Sequence, residues 1–296
     1  MNGFFSRSEI QAIVDKIRSP HAVGGAGKTL FVDGIAGLDS NPPDNPLKPL
    51  ATIAQALSLC RNDKDDYIIV LDSWQQDTFP IAVARSRVHI IGLDAGNGMY
   101  PRMSPPTDTA IFSLGSKGYV EIAGFSLGAG ATHGCIEWEV GVNEGRSKLH
   151  HLWLGWTETG RDGILIPNTT DAPELEVSDV FFGAGLTRDG IRLEGTSTRS
   201  VFKRSLFRKV AGIGIHGMKN GSDIAAILGN RFMVADVADG EAITMEAGVG
   251  AALIDDNRAA KGAVAMTKVP FRDLSGGLNA WGANYVSDAL SLPKTA

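Results

Sequence analysis

Residues 122–127 read IAGFSL, and the same shape returns as LHHLWL at 149–154, VSDVFF at 177–182, FKRSLF at 202–207, ILGNRF at 227–232 and IDDNRA at 254–259. The steps between the first residues, Ile122, Leu149, Val177, Phe202, Ile227 and Ile254, are 27, 28, 25, 25 and 27 residues. Positions one and six are large and apolar in five of the six windows, and the last relaxes to Ala259. A second series lies between the windows, a small residue followed by a core residue: Gly134-Cys135, Gly163-Ile164, Gly190-Ile191, Gly214-Ile215, Ala242-Ile243 and Ala263-Val264. Within each unit the apolar spacing is two, so the units are strands rather than helices. A single coil of strand, turn and strand cannot bury its apolar face alone. Stacked about 4.8 Å apart, each strand pairs with those above and below, and inward side chains form columns.

The expected fold is therefore all-β, a single-stranded right-handed parallel β-helix with a short N-terminal helical arm and a capping helix. Runs at Tyr67–Leu71, Val88–Leu93 and Ala110–Leu114 extend the stack upstream. Asn230 and Asn257 fall at position four of adjacent coils, where stacked amides can hydrogen-bond.

Working outward, Ser6-Arg7-Ser8-Glu9 reads as a capping box before an apolar stripe, Ile10, Ile13, Val14 and Ile17, that ends at Pro20. This helix is the candidate anchoring arm. A glycine-rich hinge at 22–27 leads to a strand at Thr29–Asp33, a Pro/Gly/Asp/Asn loop and a short helix over Thr52–Leu59. The chain divides into an arm and hinge (1–27), a cap (28–66), the β-helix (67–268) and a capping or contact segment (269–296).

Composition supports a folded stack and narrows its partners. The 296 residues include 36 glycines, about 12% against a usual 7% or so, spread as turns require. The net charge of −5 offers nothing to nucleic acid or an anionic membrane. Two cysteines, Cys60 and Cys135, have no metal-ligand spacing and sit among apolar neighbours, so they read as buried thiols, and no cofactor or metal is expected. No signal-peptide-like or membrane-spanning apolar run is present in these residues, which points to folding in a cytoplasm.

The segment Phe31-Val32-Asp33-Gly34, Gly37, Asp39, Asn41, then Pro46, Pro49-Leu50-Ala51-Thr52-Ile53 and Ala56-Leu57 resembles the opening of pectate-lyase-like β-helix proteins. It departs at Pro42-Pro43, where that opening continues with glycine. The family contains polysaccharide lyases and hydrolases and also phage tailspikes and other virion proteins, so the resemblance implies fold more firmly than activity.

Candidate chemistry is sparse. Gly24-Gly25-Ala26-Gly27-Lys28-Thr29 lacks the first glycine, the preceding strand and the following helix of a phosphate loop, and reads as a hinge. The tetrads Arg161-Asp162-Gly163-Ile164 and Arg188-Asp189-Gly190-Ile191 place two carboxylates on adjacent coils. Such a pair suits a retaining glycosidase, but Asp-Gly before an inward Ile is also turn chemistry, the preferred reading. Glu137, Glu139, Asp255 and Asp256 read as solvated acids. His150-His151 points two ways from one turn.

Position five should face outward, and it carries Ser126, Trp153, Phe181, Leu206, Arg231 and Arg258. Three coils thus expose Trp153, Phe181 and Leu206 as an apolar stripe, with Trp156 nearby, which marks an oligomer interface. Together these features point to a structural virion protein of a tailed phage, a homotrimeric capsid decoration or head/tail appendage. It would be assembled in the host cytoplasm onto other virion proteins such as the major capsid protein. The alternative is a polysaccharide-degrading enzyme or glycan-binding module acting on a host surface glycan.

Overall fold

The computed structural model describes residues 27–72, 77–93, 100–115, 118–140, 146–155, 160–168, 170, 174–219, 221–233, 241–250, 252–260 and 269–286. The proposed arm residues Ile10, Ile13, Val14 and Ile17, together with Trp156 and Val264, lie outside them. Each complete coil contributes one strand to each of three parallel sheets, here called A, B and C, and partial coils at the ends bring these to ten, eight and eight strands. Parallel neighbours in every sheet are separated by a whole coil, so the chain winds as a right-handed parallel β-helix.

Sheet A carries the column that decides the fold. Ile122 pairs with Leu149, Leu149 with Val177, Val177 with Phe202, Phe202 with Ile227 and Ile227 with Ile254. Upstream the column continues through Ile90, Ile68 and Leu30. All of these side chains are buried in one continuous core. The helix Ile53–Leu59, capped by the Thr52 hydroxyl on the Gln55 N–H, turns Ile53, Ala56 and Leu57 into that core beside the first strands.

Three expectations needed correction. Phe112–Leu114 belongs to sheet B, where Phe112 pairs with Ile136, so sheet A steps directly from Val88 to Val120. In the second series the column member is Ile136 rather than Cys135, and it then runs Ile164, Ile191, Ile215, Ile243 and Phe271. The stack also continues past residue 268: Phe271–Asp273, Ala280–Trp281 and Tyr285–Val286 pair in register with the preceding coil in all three sheets. The window WGANYV at 281–286 is the seventh repeat, 27 residues after Ile254.

Glycine choice inside the stack follows from packing. A Cβ on Gly190 would come within 2.6 Å of both the Gly214 carbonyl oxygen and the Phe207 ring, and Gly163 and Gly214 meet Phe182 and Phe232 in the same way. Those phenylalanines stack with centroids 4.3 and 4.6 Å apart. Where the ring column gives way to Ala259, the glycine position holds Ala242.

Between sheets A and C the chain bends at one left-handed residue per coil: Gly124, His151, Asp179, Arg204, Gly229 and Asp256, with φ from 50° to 76°. The next residue points inward. In the later coils it is Asn230, Asn257 and Asn284, all buried. Asn257 Oδ1 accepts from the Asn230 N–H at 3.1 Å and from its amide at 3.0 Å, and Asn284 Oδ1 does the same for Asn257. Each amide also donates to a carbonyl of the preceding coil, at Phe202, Ile227 and Ile254 respectively.

Candidate functional site

Position five emerges from the bend onto the outer face of sheet C. Arg102, Ser126, Trp153, Phe181, Leu206, Arg231, Arg258 and Tyr285 form one register column. Trp153, Phe181 and Leu206 are half-buried, and Ser126 is buried. The Trp153 and Phe181 rings lie 6.0 Å apart, and Tyr100 sets its edge against Trp153 at 6.0 Å. The expected stripe is thus contiguous. Toward the last coils it becomes cationic and open, with Arg231, Arg258, Tyr285 and the 43%-exposed Met233. Tyr100 and Tyr285 were not anticipated; Tyr285 occupies position five of the seventh window.

The acid tetrads lie where the chain enters sheet B. Asp162 is fully buried and accepts from Arg188 Nε at 2.8 Å, from Arg188 Nη2, and from Arg161 Nε at 3.2 Å. Its Oδ1 also takes the Asp189 N–H at 3.1 Å. Asp189 repeats the motif one coil on: Oδ1 takes the Ile213 N–H at 2.8 Å, and Oδ2 meets Arg192 at 2.7 Å and His216 Nδ1 at 3.1 Å. Burial alone would raise the Asp189 carboxyl, but His216, the Ile213 N–H and Arg192 outweigh it and hold it below the usual carboxylate range. Carboxylates tied by arginines and backbone donors in this way fasten one coil to the next. They are not arranged as a free nucleophile and a protonated acid.

Around them, the outer face of sheet B aligns Glu137, Leu165, Arg192, His216, Thr244 and Arg272. Arg192 also reaches Glu194 at 2.6 Å, and Arg272 reaches the buried Glu241 at 3.2 Å. The remaining acids act locally. Glu137 takes the Gly134 N–H at 2.5 Å, Asp255 takes the Ala283 N–H at 2.7 Å, Glu139 accepts from the Ser113 hydroxyl at 3.1 Å, and Asp256 faces solvent.

Sheet A carries a polar clasp that sequence reading missed. Glu121 sits between His89 Nδ1 at 2.6 Å and His150 Nε2 at 2.7 Å, and His150 and His151 meet through their Nδ1 atoms at 2.7 Å. Tyr67 stacks on His89 with centroids 4.1 Å apart. Burial opposes ionisation of Glu121, yet hydrogen bonds from His150 and His89 hold its carboxyl far below the ordinary range. These residues come from four successive strands of sheet A or the turns beside them, so only the stacking brings them together. Among the described residues, no cluster of three or more His, Cys, Asp or Glu is suited to hold a metal. Cys60 and Cys135 are buried thiols pushed up to about 12, chiefly by burial.

No protein-family model, curated protein or solved structure matches the chain. The β-solenoid architecture fits tailspike-like proteins and proteins that bind or degrade polysaccharide.

Proposed function

We propose that this chain is a structural β-solenoid that assembles with itself along sheet C, serving as a virion protein of a tailed phage. In that reading it is a homotrimeric capsid decoration or head/tail appendage that contacts other virion proteins such as the major capsid protein. The observation that carries the self-assembly is the in-register column Trp153, Phe181 and Leu206 on the outer face of sheet C. Aromatic side chains are enriched in the buried centres of stable interfaces, and three coils in a row present large apolar groups side by side. The virion placement rests on the resemblance of residues 31–57 to pectate-lyase-like β-helices, a family that includes phage appendages. The arm stripe Ile10, Ile13, Val14 and Ile17 is assigned to anchoring.

Sedimentation equilibrium tests the assembly. The chain should sediment at three times its 31.3 kDa mass, and Trp153→Lys with Phe181→Lys should give monomers with unchanged far-ultraviolet circular dichroism. A wild-type monomer at micromolar concentration would refute self-assembly. Mass spectrometry of purified phage particles tests the placement: the chain should be recovered as a stoichiometric component.

One observation favours a second reading. Tyr100 and Trp153 form an aromatic corner of the kind that stacks a sugar ring. A glycan-binding module would lose binding in Trp153→Ala while keeping its oligomeric mass.

A further inference from the structure

The bend between sheets A and C carries outward doublets at its rim, among them His150-His151, Ser178-Asp179, Lys203-Arg204 and Asp255-Asp256. The first member of each lies in one outward column of sheet A, and the second is a left-handed residue of the bend. At His151, where φ is 51°, this turn sets the second imidazole beside the first. The Nδ1 atoms of His150 and His151 lie 2.7 Å apart, with the rings edge to face and their centroids 5.0 Å apart. So short a contact between ring nitrogens needs one N–H and one lone pair. The pair meets that condition with no extra proton or with one. With two, both rings are imidazolium, and N–H faces N–H across the same gap.

The charged groups that face the pair, among the described residues, are already engaged. Glu121 holds His150 Nε2 at 2.7 Å and is shared with His89 Nδ1 at 2.6 Å and Lys148 Nζ at 3.5 Å. On the following coils Glu176 meets Lys203 at 2.8 Å, and Asp179 is held by Arg204 at 2.9 and 2.6 Å. Beyond His89 lie Tyr67, Tyr119 and Asp65, the last bound to Arg87. Because His150 Nε2 is committed to Glu121, a proton added to His150 enters at Nδ1, the contact itself. The same segment ties its coil to the one before. The His151 carbonyl accepts the Gly124 N–H at 3.0 Å, and the Trp153 N–H donates to the Phe125 carbonyl at 2.8 Å.

We infer that His150 and His151 form a proton-operated catch on this bend, closed while the pair carries at most one extra proton and opened when both imidazoles are charged. Opening loosens the bend two residues before Trp153, so acid weakens assembly through sheet C. That last step rests on the reading of sheet C as the assembly face; the catch itself does not.

Nitrogen-15 spectra of the full chain labelled at histidine read the catch directly, with His150→Gln and His151→Gln for assignment. Near neutral pH one of the two Nδ1 atoms should carry a proton and the other none, and the pair should titrate in two coupled steps. Sedimentation at about pH 7.5 and about pH 5, on either side of the ordinary histidine range, reads the consequence. The wild-type dissociation constant should rise at least tenfold on acidification. His151→Asn keeps a residue that tolerates the left-handed bend, and its amide can face His150 in either protonation state, so its constant should change less than twofold. Independent single-step titration of the two histidines would overturn the catch, and an equal acid response in wild type and His151→Asn would overturn its effect on assembly. A wild-type monomer at both pH values would refute the assembly reading instead, with the nitrogen titration still deciding the catch.

Discussion

From Phe125 through Leu152 to Val180, the bend between sheets A and C is filled by apolar side chains, whereas from Ser205 through Asn230 and Asn257 to Asn284 it is filled by hydrogen-bonding ones. The backbone path is the same in both stretches, with a left-handed residue immediately before each inward position from Gly124 to Asp256. The inward side chains of the first stretch contribute packing only. In the second, every asparagine amide reaches a carbonyl of the coil behind it. The outer column changes one coil later, from Trp153, Phe181 and Leu206 to Arg231 and Arg258. A stacked turn therefore needs only filled volume and satisfied donors, and either chemistry supplies them.

The sharpest way to break this distinction is to exchange the chemistries. Asn257→Leu removes the acceptor of the buried Asn230 N–H and amide and takes the side-chain donor from the Ile227 carbonyl, so we expect a loss of about 4 kcal/mol in urea unfolding. The reciprocal Leu152→Asn buries an amide between Phe125 and Val180, which offer no side-chain partner, and should cost about 3 kcal/mol. If either exchange proved neutral, the two stretches would not be the separate solutions described here.

A smaller effect sharpens the packing side. Gly190→Ala drives a methyl into Phe207 and the Gly214 carbonyl and should cost about 2 kcal/mol. In a Phe207→Ala background, which imitates the natural Ala242 and Ala259 combination, the same substitution should cost less than about 1 kcal/mol. Purely additive costs would mean that the ring does not set the glycine.

The smallest expected effect is electrostatic. Asp189 is depressed in the folded chain, so its contribution to stability is present above the unfolded carboxyl value near 4 and is lost as pH falls through the lower folded value. Stability measured from pH 6 down to pH 3 should decline, and Asp189→Asn should flatten that decline by about 1 kcal/mol. Glu121 adds a loss of the same sign, so some slope should remain in the variant.

The inward columns were legible because each coil places one residue in each column, and burial restricts that residue to apolar or amide side chains. Asn230 and Asn257 could be paired from spacing alone. Asn284 carried the same signal but was hidden by Trp281 at position one and by the long stretch after Ala260. Strands of two or three residues, such as Ile81–Val83 and Arg102–Met103, are too short to show a period. Outward positions tolerate many residue types, so the partners of Asp189, namely Arg192 and His216, and the Glu121 clasp left no linear trace. Coil lengths also vary: Val88 and Val120 are register partners 32 residues apart, which misassigned the run at 110–114.

The most direct test of the stack is the register itself. Lys203, Leu228 and Asp255 occupy successive places in one outward column of sheet A. Strand neighbours lie within disulfide reach, and positions two strands apart, about 9.6 Å, do not. Lys203→Cys with Leu228→Cys should close an intrachain disulfide on mild oxidation, while Lys203→Cys with Asp255→Cys should remain reduced. Closure of the second pair in preference to the first would contradict the coil-on-coil alignment from which the outer columns, their chemistry and the proposed assembly all follow.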